Sequence, residues 1–262
     1  MNAQESTSRL CVVTGASEGL GRALVHLLAE DGYRVLAVAR RKQALDDLAR
    51  EAPEGSVVPV AADLETPEGI TSIVDALRAN GGSLRMLVNN AGRGDIGPFA
   101  EADTGVLRSI LRLNVEGLTI LTRALIDAIE SGGTILNVAS VASVLPGPWM
   151  ATYYASKSYV LSLGVSLAEE LRPRGISVTT VCPGAIATGF QRVAGFDQER
   201  YYRTTRAHAP ETVAQWAYRA ARRKRTVAFY QWYGIGDWAA RLLPRNTFAR
   251  LMARLQRRRA PK

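Results

Sequence analysis

Residues 10–32 read LCVVTGASEGLGRALVHLLAEDG. LCVVT is a short apolar run of strand-forming residues, TGASEGLG carries glycines at 15, 19 and 21, and RALVHLLAED spaces its leucines and valine as a helix does before stopping at Gly32. The order is strand, glycine loop, helix. Glycine at such a junction allows positive φ and close backbone approach to a pyrophosphate, whose charge the free N–H groups and dipole of the helix start favour. A purely structural tight turn can use the same glycines, but their place directly after the first strand favours a dinucleotide site formed by Gly15, Ser17, Gly19, Leu20 and Gly21.

The alternation continues along the chain. Apolar runs YRVLAVA (33–39), SVVPVAA (56–62), LRMLVNNAG (84–92), GTILNVAS (133–140) and GISVTTVCPG (175–184) are separated by helical stretches. One of these starts at Thr66-Pro67, with threonine as cap and proline in the first turn; the others run from about 104 to 130 and from about 152 to 172. Nearly continuous apolar strands between helices predict a parallel sheet covered on both faces, a doubly wound Rossmann-type α/β fold that places ligands beyond the strand C-termini. The whole chain, 1–262, is expected to be one such domain, with 1–8 a flexible tail.

Composition agrees with a globular protein: of 262 residues 47% are hydrophobic and 22% charged. Cys11 and Cys182 lie in apolar runs away from any Cys/His cluster, so reduced core thiols are expected, with no metal site. The opening MNAQESTSR has no apolar leader stretch and no run is long enough to span a membrane, which points to the cytoplasm. The net charge of +9 is uneven, because residues 200–262 hold 16 Lys and Arg against two acids.

Cofactor choice is read at the end of the second strand, where an acid would bind ribose hydroxyls and repel a 2′-phosphate. This chain has Arg40 and Arg41, whose guanidinium groups suit a phosphate, so NADP(H) is favoured over NAD. Asp63, after the third strand, either accepts a hydrogen bond from adenine or caps the next turn. In MATYYASKSYV (150–160), Tyr153 and Lys157 are four apart and share one helix face, while Tyr154 turns about 100° away. A lysine that lowers a tyrosine's pKa makes an acid/base device; a surface tyrosine beside an outstretched lysine is the plainer alternative.

The set TGASEGLG, NNAG (89–92), LNV (113–115), Ser140, YYASK (153–157) and CPGAIAT (182–188) resembles, in order and spacing, the short-chain dehydrogenase/reductase family over about residues 8–190. The resemblance implies about seven parallel strands in the order 3-2-1-4-5-6-7, and a homodimer or homotetramer. It implies that Tyr153 is the general acid/base, Lys157 holds the nicotinamide ribose and lowers the tyrosine's pKa, Ser140 binds the substrate oxygen, and Asn114 steadies the lysine through a water. Asn90, Ala91 and Gly92 would lie along the cofactor, with Pro183, Gly184 and Thr188 at its nicotinamide end. Many NADP-using members carry a basic residue just before the middle glycine; here Glu18 stands there, and its charge opposes a 2′-phosphate.

The family's lid corresponds to residues 186–210, with Phe190, Val193 and Phe196 as apolar pocket contacts. Residues 235–262 form a basic amphipathic extension in which Phe248, Leu251, Met252 and Leu255 share one face, Arg250, Arg254, Arg257 and Arg258 the other, and Pro244 sets off a shorter helix with Trp238, Leu242 and Leu243. It either packs on the protein or touches an anionic membrane or a partner; no motif accompanies the charge to suggest nucleic acid. The expected function is NADPH-dependent interconversion of a small-molecule carbonyl and its alcohol. β-Ketoacyl-thioester reduction and a non-catalytic NADP-binding sensor or scaffold are the alternatives.

Overall fold

The computed structural model describes residues 9–231 and 245–258. The chain alternates β1 (Leu10–Thr14), α1 (Gly19–Glu30), β2 (Arg34–Ala39), α2 (Lys42–Glu51), β3 (Val57–Ala61), α3 (Pro67–Ala79) and β4 (Leu84–Asn89). Then α4 (Thr104–Leu111), a π-helical segment (Arg112–Gly117) and α5 (Leu118–Leu125) lead into β5 (Ile129–Val138), α6 (Ala151–Glu170) and β6 (Ser177–Cys182). Short helices α7 (Phe190–Val193) and α8 (Gln198–Thr204) precede α9 (Pro210–Arg222), β7 (Val227–Phe229) and α10 (Arg245–Arg257).

The seven strands are all parallel, in the order β3-β2-β1-β4-β5-β6-β7. Side chains alternate across a strand, so β1 feeds two apolar layers. Cys11 and Val13 pack with Leu24 and Leu28 of α1 and Ala217 of α9 on one face. Leu10 and Val12 pack with Ile73 of α3 and Leu121 of α5 on the other. Both cysteines are buried in the core, and burial pushes the Cys11 thiol far above its ordinary pKa, which makes it an inert core group.

Local signals account for most boundaries. Thr66 caps α3 by accepting from Gly69 N (3.1 Å), with Pro67 in the first turn, and Gly32 takes positive φ after α1. The expected single helix over 104–130 is instead interrupted at Arg112–Gly117 and gives way to β5 at Ile129. The interruption brings Gly117 against the loop after β3, where a Cβ would overlap the Leu64 carbonyl. The last described strand, β7, is three residues long and pairs with β6. The tail 1–8 and Trp238, Leu242, Leu243 and Pro244 lie outside the described residues. Among those described, no helix is long and apolar enough to cross a membrane.

Helix α6 rests directly on the sheet. A Cβ at Gly164 would overlap Thr180 Oγ1 and sit 3.1 Å from Asn137 Nδ2, on β6 and β5. Filling that contact forces α6 upward, and such overpacking costs about 1–3 kcal/mol. Gly164→Ala is expected to lower the thermal midpoint by several degrees. Thr180→Ala in the same chain should recover most of the loss, because Thr180 Oγ1 has no partner to forfeit; paired melting curves check this.

Candidate active site

The glycine loop is shaped by what crosses it. Gly15 and Gly19 have φ of +68° and +57°; a Cβ on Gly15 would lie 2.8 Å from Asn90 Nδ2, and one on Gly19 2.6 Å from Thr188 Cγ2. Gly21 has no room for a Cβ beside the Gly15 carbonyl. Thr14 Oγ1 donates to Val88 O and accepts from the N–H groups of Asn90 and Ala91, while Asn90 Nδ2 donates to Thr14 O (2.9 Å). Asn90 therefore locks β4 to the loop with its side chain. No side chain caps α1 and its first turn holds no acid, so its N–H groups stay available to an anion.

At the end of β2 the two arginines differ. Arg41 Nη2 pairs with Glu18 at 2.9 Å and donates to Ser17 Oγ at 3.0 Å, so the charge expected to oppose a phosphate is already matched within the protein. Arg40 is 64% exposed and only loosely paired, at 3.9 Å from Asp63 and 3.8 Å from Glu65. Asp63 Oδ1 accepts from Glu65 N, which makes it a turn former, while the cap of α3 is Thr66.

The reacting groups gather at the C-terminal ends of β4 and β5 and the start of α6. Ser140 follows β5 and opens a 3₁₀ turn: its Oγ accepts from Ala142 N, and Ser143 Oγ accepts from Ser140 N and donates to Ser140 O. Lys157 is buried and donates from Nζ to Val138 O at 2.9 Å. Asn114 sits in the π-helical segment, where its Oδ1 accepts from Arg93 N and its Nδ2 donates to Arg93 O and Ser156 Oγ, each at 2.9 Å. Ser156 in turn donates to Tyr153 O. Gly92 presses between these groups, its Cβ position 3.3 Å from both Asn114 Oδ1 and Lys157 Nζ.

Burial governs the charges here. It pushes the Tyr153 phenol above its ordinary range against the opposing hydrogen bond from Ser140, and it pushes Lys157 down to about 8. The expected lowering of Tyr153 by Lys157 does not appear: Nζ lies 6.0 Å from the ring centroid, and desolvation is the largest influence on both groups. Tyr153 is a phenol that holds its proton at neutral pH.

One cavity of about 800 Å³ joins all of this. Gly15, Ser17, Gly19, Leu20, Arg40, Arg41 and Asp63 line one end; Asn90, Ala91 and Gly92 line the middle. Ser140, Tyr153, Lys157, Pro183, Gly184 and Thr188 line the other end. Gly21 and Asn114 stand behind the wall and shape it through their neighbours. Phe190 and Phe196 line the cavity as expected; Val193 does so from its rim, half exposed.

The match to the short-chain dehydrogenase model covers residues 9–199. The chain belongs to the short-chain dehydrogenase family. A yeast relative in Saccharomyces cerevisiae, NADPH-dependent 1-acyldihydroxyacetone phosphate reductase, is 34% identical over 71% of this chain, which spans 63% of that relative's length. A short-chain dehydrogenase from Sphingobium yanoikuyae in complex with NADPH superposes with a TM-score of 0.78 at 30% identity, covering 88% of this chain and 91% of that one. The 3-ketoacyl-(acyl-carrier-protein) reductase of Brucella melitensis, complexed with NADH, gives 0.76 at 28% identity over 85% and 96%. A family member with these motifs is an oxidoreductase of the CH–OH/C=O class that uses a nicotinamide cofactor.

Several groups escaped the sequence reading. Arg93 grips Asn114 through its backbone, which no side-chain pattern reveals. Ser156 was visible only as the residue before Lys157. Tyr154, turned away from Tyr153 on the helix, still lines the cavity, because α10 closes over it. In α10 itself Met252, Leu255 and Gln256 line the cavity, whereas Leu251 is 60% exposed and does not share their face. At about 100° per residue the inward face centres on Met252 and Gln256, four apart, and Leu251 falls about 100° from Met252.

The buried lysine carries a pH signature. The folded protein holds Lys157 near 8, below its ordinary 10.5, so between those values the unfolded chain binds more protons and unfolding free energy rises with pH. Below about pH 8 the burial cost is constant and at most about 3 kcal/mol. The stability of the wild type relative to Lys157→Met is therefore expected to increase from neutral pH to about pH 10, measured by urea unfolding of both proteins.

Proposed function

We propose that the protein is an NADPH-dependent reductase of ketones or aldehydes, able to run in reverse as an alcohol dehydrogenase. The observation that carries this reading is the convergence of Ser140, Tyr153 and Lys157 on one end of a cavity whose other end carries Arg40 and Arg41. The glycine loop fits a dinucleotide, since a side chain at Gly15, Gly19 or Gly21 would close it. Bound there, the cofactor supplies the hydride that the protein cannot.

The chain's own residues supply position and a proton. Arg40, with Arg41, would hold the 2′-phosphate, and the N-terminus of α1 the pyrophosphate. Asp63 would meet the adenine, Asn90, Ala91 and Gly92 would lie along the cofactor, and Pro183, Gly184 and Thr188 would hold its nicotinamide end. Ser140 Oγ donates to the carbonyl oxygen, and the Tyr153 phenol delivers its proton to that oxygen as negative charge develops. A phenol with a raised pKa is a reservoir that stays loaded at neutral pH. Lys157, held by Val138 O, stabilises the phenolate left behind, and Asn114 supports the lysine through a water that reconnects it to solvent. The aromatic and aliphatic walls around Phe190, Phe196 and Met252 favour an apolar substrate.

A second reading, reduction of a β-ketoacyl thioester, would use the same residues; the likeness to the Brucella enzyme supports it. Subunit pairing is a further part of the proposal, supported by exposed Leu111, Ile120, Tyr159 and Val165 on α4, α5 and α6.

Tyr153→Phe is expected to cut turnover by about 10²–10⁴-fold while NADPH binds as before. Arg40→Ala should weaken NADPH at least tenfold and leave NADH nearly unchanged, as read by fluorescence titration. Unchanged NADPH affinity in that variant would transfer the phosphate contact away from Arg40 and reopen the choice of NADH.

A further inference from the structure

The turn after β3 touches the helical stretch that carries Asn114 at two points. Before the π-helical segment, Glu65 Oε1 accepts from Ser109 Oγ of α4 at 2.7 Å. At the end of that segment the Leu64 carbonyl packs against Gly117, with no room for a side chain between them. The turn is itself fixed, since Glu65 N donates to Asp63 Oδ1 and Thr66 Oγ1 donates to Asp63 O. One loop therefore brackets the wide turn on which Asn114 stands.

Ser109 carries the contact further. Its Oγ accepts from Arg93 Nη1 at 2.7 Å while it donates to Glu65, so one hydroxyl bridges a guanidinium and a carboxylate by two charge-assisted hydrogen bonds. The Glu65 side chain is only 16% exposed and Arg93 Nε is buried without a partner, so water competes little for this bridge. Arg93 is also the residue whose N–H and C=O both meet the Asn114 amide. It lies in a stretch, 90–98, that is neither helix nor strand, so its main chain is held by the Asn114 side chain and not by a backbone ladder. A residue so placed needs an anchor of its own, and the guanidinium bridge to α4 provides one.

We propose that Glu65 and Ser109 are positioning residues for Asn114, acting through Arg93. From Asn114 the connection continues to Ser156 Oγ and the Tyr153 carbonyl. The Glu65 oxygen that takes the Ser109 bond also lies 3.8 Å from Arg40 Nη1, so one carboxylate faces the adenosine end of the cavity and steadies the reacting end. This rests on the reductase reading above and adds to it the residues that hold its proton-transfer groups in place.

The test uses the full-length protein, NADPH and the fastest substrate from a panel of 2-alkanones and benzaldehydes. Ser109 stands outside the cavity wall, and alanine is a good helix former, so Ser109→Ala keeps both α4 and the cavity lining. Ser109→Ala is expected to slow single-turnover NADPH oxidation about tenfold, with NADPH affinity and the half-saturating carbonyl concentration retained. Ser109→Thr, which keeps the hydroxyl, should restore the rate. In an Asn114→Ala background Ser109→Ala should cost nothing further, because both changes act on one group. An unchanged rate in Ser109→Ala, a loss carried by affinity alone, or the same fold-loss with and without Asn114 overturns the inference and leaves the reductase reading standing. If no carbonyl is reduced, that reading fails; then, or if Asn114→Ala is too slow to assay, hydrogen exchange of the Arg93 amide, which Asn114 Oδ1 protects, decides. Faster exchange in Ser109→Ala than in the wild type and Ser109→Thr supports the anchoring of Arg93 and Asn114, and equal exchange in all three overturns it.

Discussion

The site depends on how closely α6 lies on the sheet. Gly164 lets the helix touch β5 and β6 without a side chain between them, and at the other end Lys157 reaches down to the Val138 carbonyl. Ser158 adds a bond to the Ser143 carbonyl, in the turn that Ser140 opens. These contacts fix the height and rotation of a helix that carries both Tyr153 and Lys157. A displacement of one ångström would separate the phenol from Ser140 and unsettle every group that the family's chemistry requires to converge.

That close seating also sets the electrostatics. Desolvation of the buried Lys157 and the partly buried Tyr153 favours the neutral form of each, raising the phenol and lowering the ammonium. The low polarity around Nζ also strengthens its attraction for a nearby negative charge, so a lysine that is costly to charge stabilises a developing phenolate more strongly than an exposed one would. At the adenosine end the balance differs: Arg40 and Arg41 are exposed, set among Glu18, Asp63 and Glu65, and screened by solvent.

Much of this was legible in the chain. The alternation of strands and helices, the glycine loop, the cap at Thr66 and the pairing of Tyr153 with Lys157 follow from local patterns of spacing and side-chain type, while the strand order came from the resemblance to the family. What escaped has a common physical character. The interruption of the helix at Asn114 is a backbone event, and the grip of Arg93 on Asn114 is made by main-chain atoms, so neither has a side-chain signature. Tyr154 and Gln256 meet across about a hundred residues of sequence, and only tertiary packing brings an exposed-looking glutamine in an arginine-rich helix to 2% exposure. Leu251 looked like part of a buried stripe because three apolar neighbours shared its half of the helical projection; the docking of α10 selects a face rotated toward Gln256.

The π-helical segment places an arithmetic constraint on this stretch of chain. A π turn holds one residue more than an α turn, so the apolar spacing of α5 is offset by one residue in sequence from that of α4. Ile110 before it and Leu118, Leu121 and Leu125 after it are nevertheless all buried, and Asn114 between them faces Ser156. Removing one residue between 112 and 117 would leave a continuous α-helix whose halves keep the same phase, because the wide turn is what absorbs the extra residue; the apolar sides would stay inward and the wide turn that carries Asn114 would be lost. The length of this segment is therefore as much a part of the site as the identity of Asn114.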